Sequence, residues 1–160
     1  MPCYLFTYHA YGSWMPDREE GYVRRKQGVL PADQQRAAEY RQAARQPQVR
    51  FDAAVQRLVI CELQAAWLHQ QCRGHFIATD STHVHVLVSW RDERPWIRIR
   101  SGLKSSLTRR LNRDLQRWIW FSDSASRKRV KDRPHFTYLV DEYLPSHYGW
   151  KWREGGGPFL

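Results

Sequence analysis

THVHVLVSW, from Thr82 to Trp90, sets His83 and His85 one residue apart in a segment that otherwise reads as a buried β-strand. Along a strand, residues two apart point to the same side, so the imidazoles stand together on one face, roughly 7 Å apart. Val84, Val86 and Val88 line the other face, and an all-valine face is a core face. The histidine pair is therefore spaced to chelate one ion. Imidazole suits zinc, manganese, iron or nickel, whereas magnesium needs added oxygen ligands. The competing explanation is two half-exposed histidines placed by chance in a β-rich segment.

Working outward, HFIATD (75–80) is a second β run, and Asp80, Ser81 and Thr82 give hairpin spacing, so these two strands are adjacent and antiparallel. Upstream, RFDAAVQRLVICELQAAWLHQQC (50–72) has Asp52 as N-cap and a stripe of Val55, Leu58, Val59, Leu63, Ala66 and Trp67, with Gly74 as the stop. Downstream, WIRIRSGLKSSLTRRLNRDLQRW (96–118) carries Ile97, Leu103, Leu107 and Leu111 on one side and basic residues elsewhere, an amphipathic helix with a basic exposed face.

At the amino end, CYLFTYHAYGSW predicts a strand over Tyr4–Tyr8 that breaks at Gly12. Residues 14–50 read as a polar insertion punctuated by Pro16, Gly21, Gly28, Pro31 and Pro47, with a short helix from Pro31. After residue 117, WIWF predicts a fourth strand and SDSASRKRVKD a basic loop. RPHFTYLVDEYLPSH predicts a final tyrosine-bearing helix over about 134–147, and EGGGP a flexible tail. This order predicts a single α+β domain over 1–160, an antiparallel sheet with helices packed on one face.

Charge narrows the partner. With 26 Lys+Arg against 16 Asp+Glu the chain carries +10, a field that attracts polyanions and makes their binding salt-dependent. Arg outnumbers Lys, and eight Trp and eight Tyr supply flat faces, a combination suited to phosphate forks and base stacking. Cys3, Cys61 and Cys72 form no CxxC pair, so neither a disulfide framework nor a zinc knuckle is indicated. His69 and Cys72 lie three apart on a helix but have no second ligand pair to join them. No run approaches the roughly 18 apolar residues of a membrane span and no signal peptide opens the chain, which predicts a cytoplasmic protein with no membrane partner.

HVHVLVS after a short turn, the Asp-capped helix before it, the LKSSLTRRLN helix after it and a late tyrosine-bearing helix resemble the HUH-type single-tyrosine transposases. TYHAYGSWMPDREEG and VLPAD resemble a bacterial subgroup related to the tyrosine transposases of repetitive extragenic palindromes (REP). The resemblance covers most of the chain. It implies an RRM-like, ferredoxin-like sheet of the HUH endonuclease type, acting at the nucleoid. It implies Mg²⁺ or Mn²⁺ held by His83 and His85, and a tyrosine that attacks single-stranded, hairpin-forming DNA to leave a 5′-phosphotyrosine and a free 3′-OH. Members of the family occur as monomers and as dimers that complete each site with the partner's tyrosine helix, so a homodimer is among the expectations.

The family motif places a tyrosine one helical turn before a polar residue that completes the metal site. Tyr138 and Glu142, four apart, are the favoured nucleophile and third ligand. Tyr143 and His147 share that spacing, but Pro145 lies between them and is expected to distort the helix. Tyr138 and Tyr143, five apart, are expected to point in different directions, one of them structural. Many relatives carry glutamine near the third-ligand position, so Glu142 departs from the pattern.

For phosphate contacts the candidates are Lys104, Arg109, Arg110 and Arg113 on the basic helix and Arg127, Lys128, Arg129 and Lys131 in the basic loop. Trp14, Trp90 and Trp96 are candidates for base stacking, with core packing as the plainer role. Two other functions compete: a catalytically silent single-stranded DNA or RNA-binding module with an RRM-like fold, and a histidine-based metal hydrolase of small substrates. The second is disfavoured by the charge and by the lack of a further His or Cys pair.

Overall fold

The computed structural model describes residues 1–160 apart from Trp14, Arg18, Glu20, Arg25 and Ser124, and of Val23 the backbone alone. The elements run β1 (Cys3–His9), β2 (Tyr22–Arg24), β3 (Gly28–Leu30), α1 (Gln34–Ala43), α2 (Ala53–His69), β4 (Cys72–Thr79), β5 (His83–Trp90) and α3 (Trp96–Asp114). Then follow β6 (Ser126–Arg129), α4 (Arg133–Tyr138) with a π-helical turn over Leu139–Tyr143, β7 (Lys151–Arg153) and β8 (Pro158–Phe159). Six strands form an antiparallel sheet in the order β6-β1-β5-β4-β7-β8, and β2 and β3 form a separate hairpin.

Alternation along the central strands sorts the core onto two faces. Tyr4, Phe6 and Tyr8 of β1 join Val84, Val86 and Val88 of β5 in one buried cluster with Val59, Ile60 and Leu63 of α2 and Ile99, Leu103, Leu107 and Leu111 of α3. The two long helices thus pack on the valine face, which the alternation of β5 predicts to be a core face. Asp52 caps α2 by accepting from the Val55 amide at 2.9 Å, a contact worth about 1 kcal/mol. Leu5, Leu87, Phe76 and Ala78 point the other way, where Leu139, Val140 and Leu144 of the tyrosine segment cover them.

Several expectations are corrected. The stripe of α3 begins at Ile99, four residues before Leu103, while Ile97 is 49% exposed. Gly74 does not stop α2, which ends at His69; the chain reverses at Gln71 with φ 53°. Gly74 lies inside β4, where a Cβ would come within 2.4 Å of the Trp67 indole. WIWF forms no strand: Phe121 makes a lone bridge to Ala10, and the Trp120 indole donates to Asn112 Oδ1. The basic loop instead contains β6, which extends the sheet from β1. The EGGGP segment links β7 to β8, which pair at the edge of the sheet. The polar insertion holds the β2–β3 hairpin and α1, the latter capped by Asp33. No helix among the described residues is long and apolar enough to cross a membrane.

Candidate metal centre

Register between β1 and β5 builds one side of the site. Their antiparallel pairing sets Thr7 opposite His85 and His9 opposite His83, and directly opposed residues share a face. Thr7 Oγ1 lies 2.7 Å from His85 Nδ1, and the His9 and His83 rings are 5.9 Å apart.

The tyrosine segment builds the other side. Asp132 caps α4 by accepting from the His135 amide, and Pro134 occupies its first turn. The helix then widens: the Leu144 amide bonds to the Leu139 carbonyl, five residues back, at 2.9 Å. Such π-turns are rare and concentrate at functional sites. Widening corrects the expectation that Tyr138 and Tyr143 diverge, because a longer turn brings residues five apart round to one side; their rings stack at 6.3 Å. With Leu139, Val140 and Leu144 seated on the sheet, the Tyr143 hydroxyl reaches to 3.5 Å from His85 Nε2.

The chain leaves the helix around Pro145 and brings His147 onto the same spot. Ligand nitrogens of His83, His85 and His147 all lie within 4.8 Å of one another. Glu142 is exposed and stands outside this group, and its neighbour Asp141 pairs with Arg153 at 2.8 Å. Of the two alternatives left by the sequence, the geometry therefore gathers Tyr143 and His147, while Tyr138 is 46% exposed. All of these groups come from one chain, so a second copy is not needed to bring a tyrosine to the histidines.

The donor set fits a divalent cation. Every Nδ1 is occupied: that of His83 by Thr82 Oγ1 at 3.1 Å, that of His85 by Thr7 Oγ1, and that of His147 by the Tyr143 and Leu144 carbonyls at 3.1 Å each. The carbonyls accept from the His147 Nδ1–H, which leaves the lone pair on Nε2, and a hydrogen bond on the distal nitrogen is the usual support of a metal-ligating histidine. Nitrogens bound to one ion at about 2.1 Å lie at most about 4.2 Å apart, so modest ring rotations close the cluster. Three nitrogens suit manganese better than magnesium.

Burial, and then the charges of His83, His147 and His9, push the His85 pKa down to about 2, so this imidazole keeps its lone pair at ordinary pH. Burial, and then Tyr138, raises the Tyr143 pKa. The phenol is held protonated, a weak nucleophile until positive charge is brought beside it.

The cationic candidates are dispersed. Lys104, Arg109, Arg110 and Arg113 lie on α3, which packs on the sheet face opposite the histidines. Lys104 donates to the Ser122 and Asp123 carbonyls, Arg110 pairs with Glu62 and Asp114, and Arg113 pairs with Asp114. On β6, Arg127 lies 4.0 Å over the Trp96 ring, on the helix side. Lys128 stands opposite Leu5, on the histidine side. Arg129 and Lys131 are exposed. Trp90 is buried against Tyr4 and Phe6, which removes it as a stacking surface, and Trp14 lies outside the described residues.

Thr7 and His9 escaped the sequence reading. The signal for them is TYH at 7–9, whose first and third residues share a strand face; their place beside the histidine pair needs the β1–β5 register, which no local pattern fixes.

No family model and no curated protein matches the chain. Among solved structures, it is similar to a candidate transposase from Deinococcus radiodurans, with a TM-score of 0.50 and 10% identity over 93% of each chain. It is also similar to a REP-associated tyrosine transposase bound to a REP hairpin, with a TM-score of 0.49 and 9% identity over 89% of this chain and 64% of that one. The chain thus spans about 64% of the length of that second protein. The likeness to the first of these establishes the fold alone, an α+β arrangement of the kind seen in that structure.

Proposed function

We propose that this protein is a metal-dependent single-strand DNA endonuclease and strand transferase that cuts through a covalent tyrosine intermediate at hairpin-bearing DNA. The observation that carries the reading is the Tyr143 hydroxyl at 3.5 Å from Nε2 of His85, inside a cluster of three imidazoles. His83, His85 and His147 hold Mg²⁺ or Mn²⁺, with Mn²⁺ the better match to nitrogen donors. When bound, the cation supplies Lewis-acid polarisation of the scissile phosphate and offsets its developing charge.

Tyr143 Oη attacks the phosphorus. The Oη–P bond forms as the P–O3′ bond breaks, the electron pair leaves on the 3′ oxygen, and the phenolic proton lost is matched by one gained at the 3′-OH. The 5′-phosphotyrosine conserves the phosphodiester for rejoining to a second 3′-OH. Tyr138, stacked on Tyr143, limits the nucleophile's swing. Lys128, on the histidine side of β6, and Lys131 hold the strand by its phosphates, while Arg129 stands opposite Tyr4 on the helix side.

Tandem mass spectrometry of the proteolysed protein after incubation with Mn²⁺ and single-stranded hairpins tests the assignment. A nucleotide mass on Tyr143 is expected; the mass on Tyr138 would transfer the role, and its absence from both would leave a binding module.

A further inference from the structure

Directly after the third histidine of the cluster stands Tyr148, whose side chain is 91% exposed. The backbone that carries it is firmly braced. The Gly149 amide donates to the Thr79 carbonyl at 3.0 Å, so closely that a Cβ at Gly149 would come within 2.3 Å of that oxygen. The Trp150 amide donates to Gln56 Oε1 at 3.0 Å. The buried Lys151 ammonium donates to the carbonyls of His147 at 2.8 Å and Gly149 at 3.0 Å, one on each side of Tyr148.

A single exposed aromatic is ordinary on a protein surface. What sets Tyr148 apart is its position. Its Cα follows that of His147 by the fixed ~3.8 Å of a trans peptide, and its ring stands in water from a loop tied down at 147, 149, 150 and 151. A flat face held still and already out of the core loses little freedom when a second flat group lies on it.

We propose that Tyr148 is a stacking platform for one unpaired nucleobase next to the phosphate that occupies the histidine cluster. The inference rests on the function proposed above and names a contact of the same site. Because every base offers a π-face, the platform accepts any base and fixes where the strand lies rather than which sequence is read.

The test uses the full chain and a fluorescent oligothymidylate, with affinity measured across a salt series. Tyr148→Ala is expected to weaken binding roughly 5- to 100-fold, while Tyr148→Phe and Tyr148→Trp bind as wild type. The salt slope should be unchanged, since no phosphate contact is lost. In a strand of the same length that is abasic throughout, where no register supplies a base, wild type should show the same loss and Tyr148→Ala should lose nothing more. An equal melting temperature for wild type and Tyr148→Ala assigns the loss to the ring; a lowered one is resolved by the Trp variant and the abasic strand, which read stacking directly. Wild-type affinity in Tyr148→Ala, alongside an intact Tyr143 adduct, would overturn the platform alone. Failure of the wild-type protein to bind any strand would overturn both the platform and the function it rests on.

Discussion

Thr7 Oγ1 and His85 Nδ1 meet at 2.7 Å across 78 residues of chain, inside the sheet. The contact holds the buried imidazole by Nδ1, with Nε2 toward the Tyr143 hydroxyl. Removing such a partner from a metal-ligating histidine costs about 10- to 100-fold in metal affinity. Thr7→Val, which keeps the shape and drops the hydroxyl, should weaken Mn²⁺ binding by that factor in calorimetric titration, and Thr7→Ser should restore it. Unchanged affinity in Thr7→Val would mean that the hydrogen bond does not orient the ring.

Third-ligand identity gives a sharper contrast. His147→Ala should abolish measurable Mn²⁺ binding under conditions where wild type saturates, whereas Glu142→Ala, an exposed change outside the cluster, should bind normally. The opposite pattern would return the third position to Glu142.

Acid should destabilise the metal-free protein through His85. Burial holds the folded-state pKa far below the ordinary 6.5, so as pH falls through about 6.5 the unfolded chain takes up a proton that the folded chain refuses. The contribution is complete above about 6.5 and declines as pH falls toward the folded value, by up to about 1.4 kcal/mol per unit. Urea unfolding at a series of pH values from about 7 down to about 4 should show this slope, and His85→Gln should flatten it. The same slope in the variant would place the acid sensitivity in another group.

Gly149→Ala should disturb the site without touching a ligand. The added methyl meets the Thr79 carbonyl at 2.3 Å and crowds Gln56 Oε1 at 2.7 Å, and overpacking of this kind costs about 1–3 kcal/mol. The loop bearing His147 must then shift, so both the unfolding midpoint and Mn²⁺ affinity should fall together. A drop in stability with normal metal binding would show that His147 is positioned independently of Gly149.

How much of this could be read in advance follows from the range of the interactions. The alternation of HVHVLVSW set both the valine core face and the paired imidazoles, because strand geometry is local. Asp52 announced α2 for the same reason. The tyrosine segment resisted, since Tyr138–Glu142 and Tyr143–His147 share one spacing and Pro145 weighed against the second pair, whereas the π-turn that accompanies the seating of Leu139, Val140 and Leu144 on the sheet sets Tyr143 and His147 beside β5. Thr7 became visible only with the β1–β5 register. The basic residues of α3, candidates for phosphate contacts, lie across the sheet from the site, a placement that depends on which face each helix covers.

The decisive measurement is a denaturing gel of the protein incubated with Mn²⁺ and labelled single-stranded hairpins drawn from the DNA flanking its gene, for wild type, Tyr143→Phe and Tyr138→Phe. A protease-sensitive covalent band in wild type and Tyr138→Phe that vanishes in Tyr143→Phe is the predicted result. A band that survives Tyr143→Phe, or salt-dependent binding with no band in any lane, would contradict Tyr143 as the nucleophile of a strand-transfer reaction.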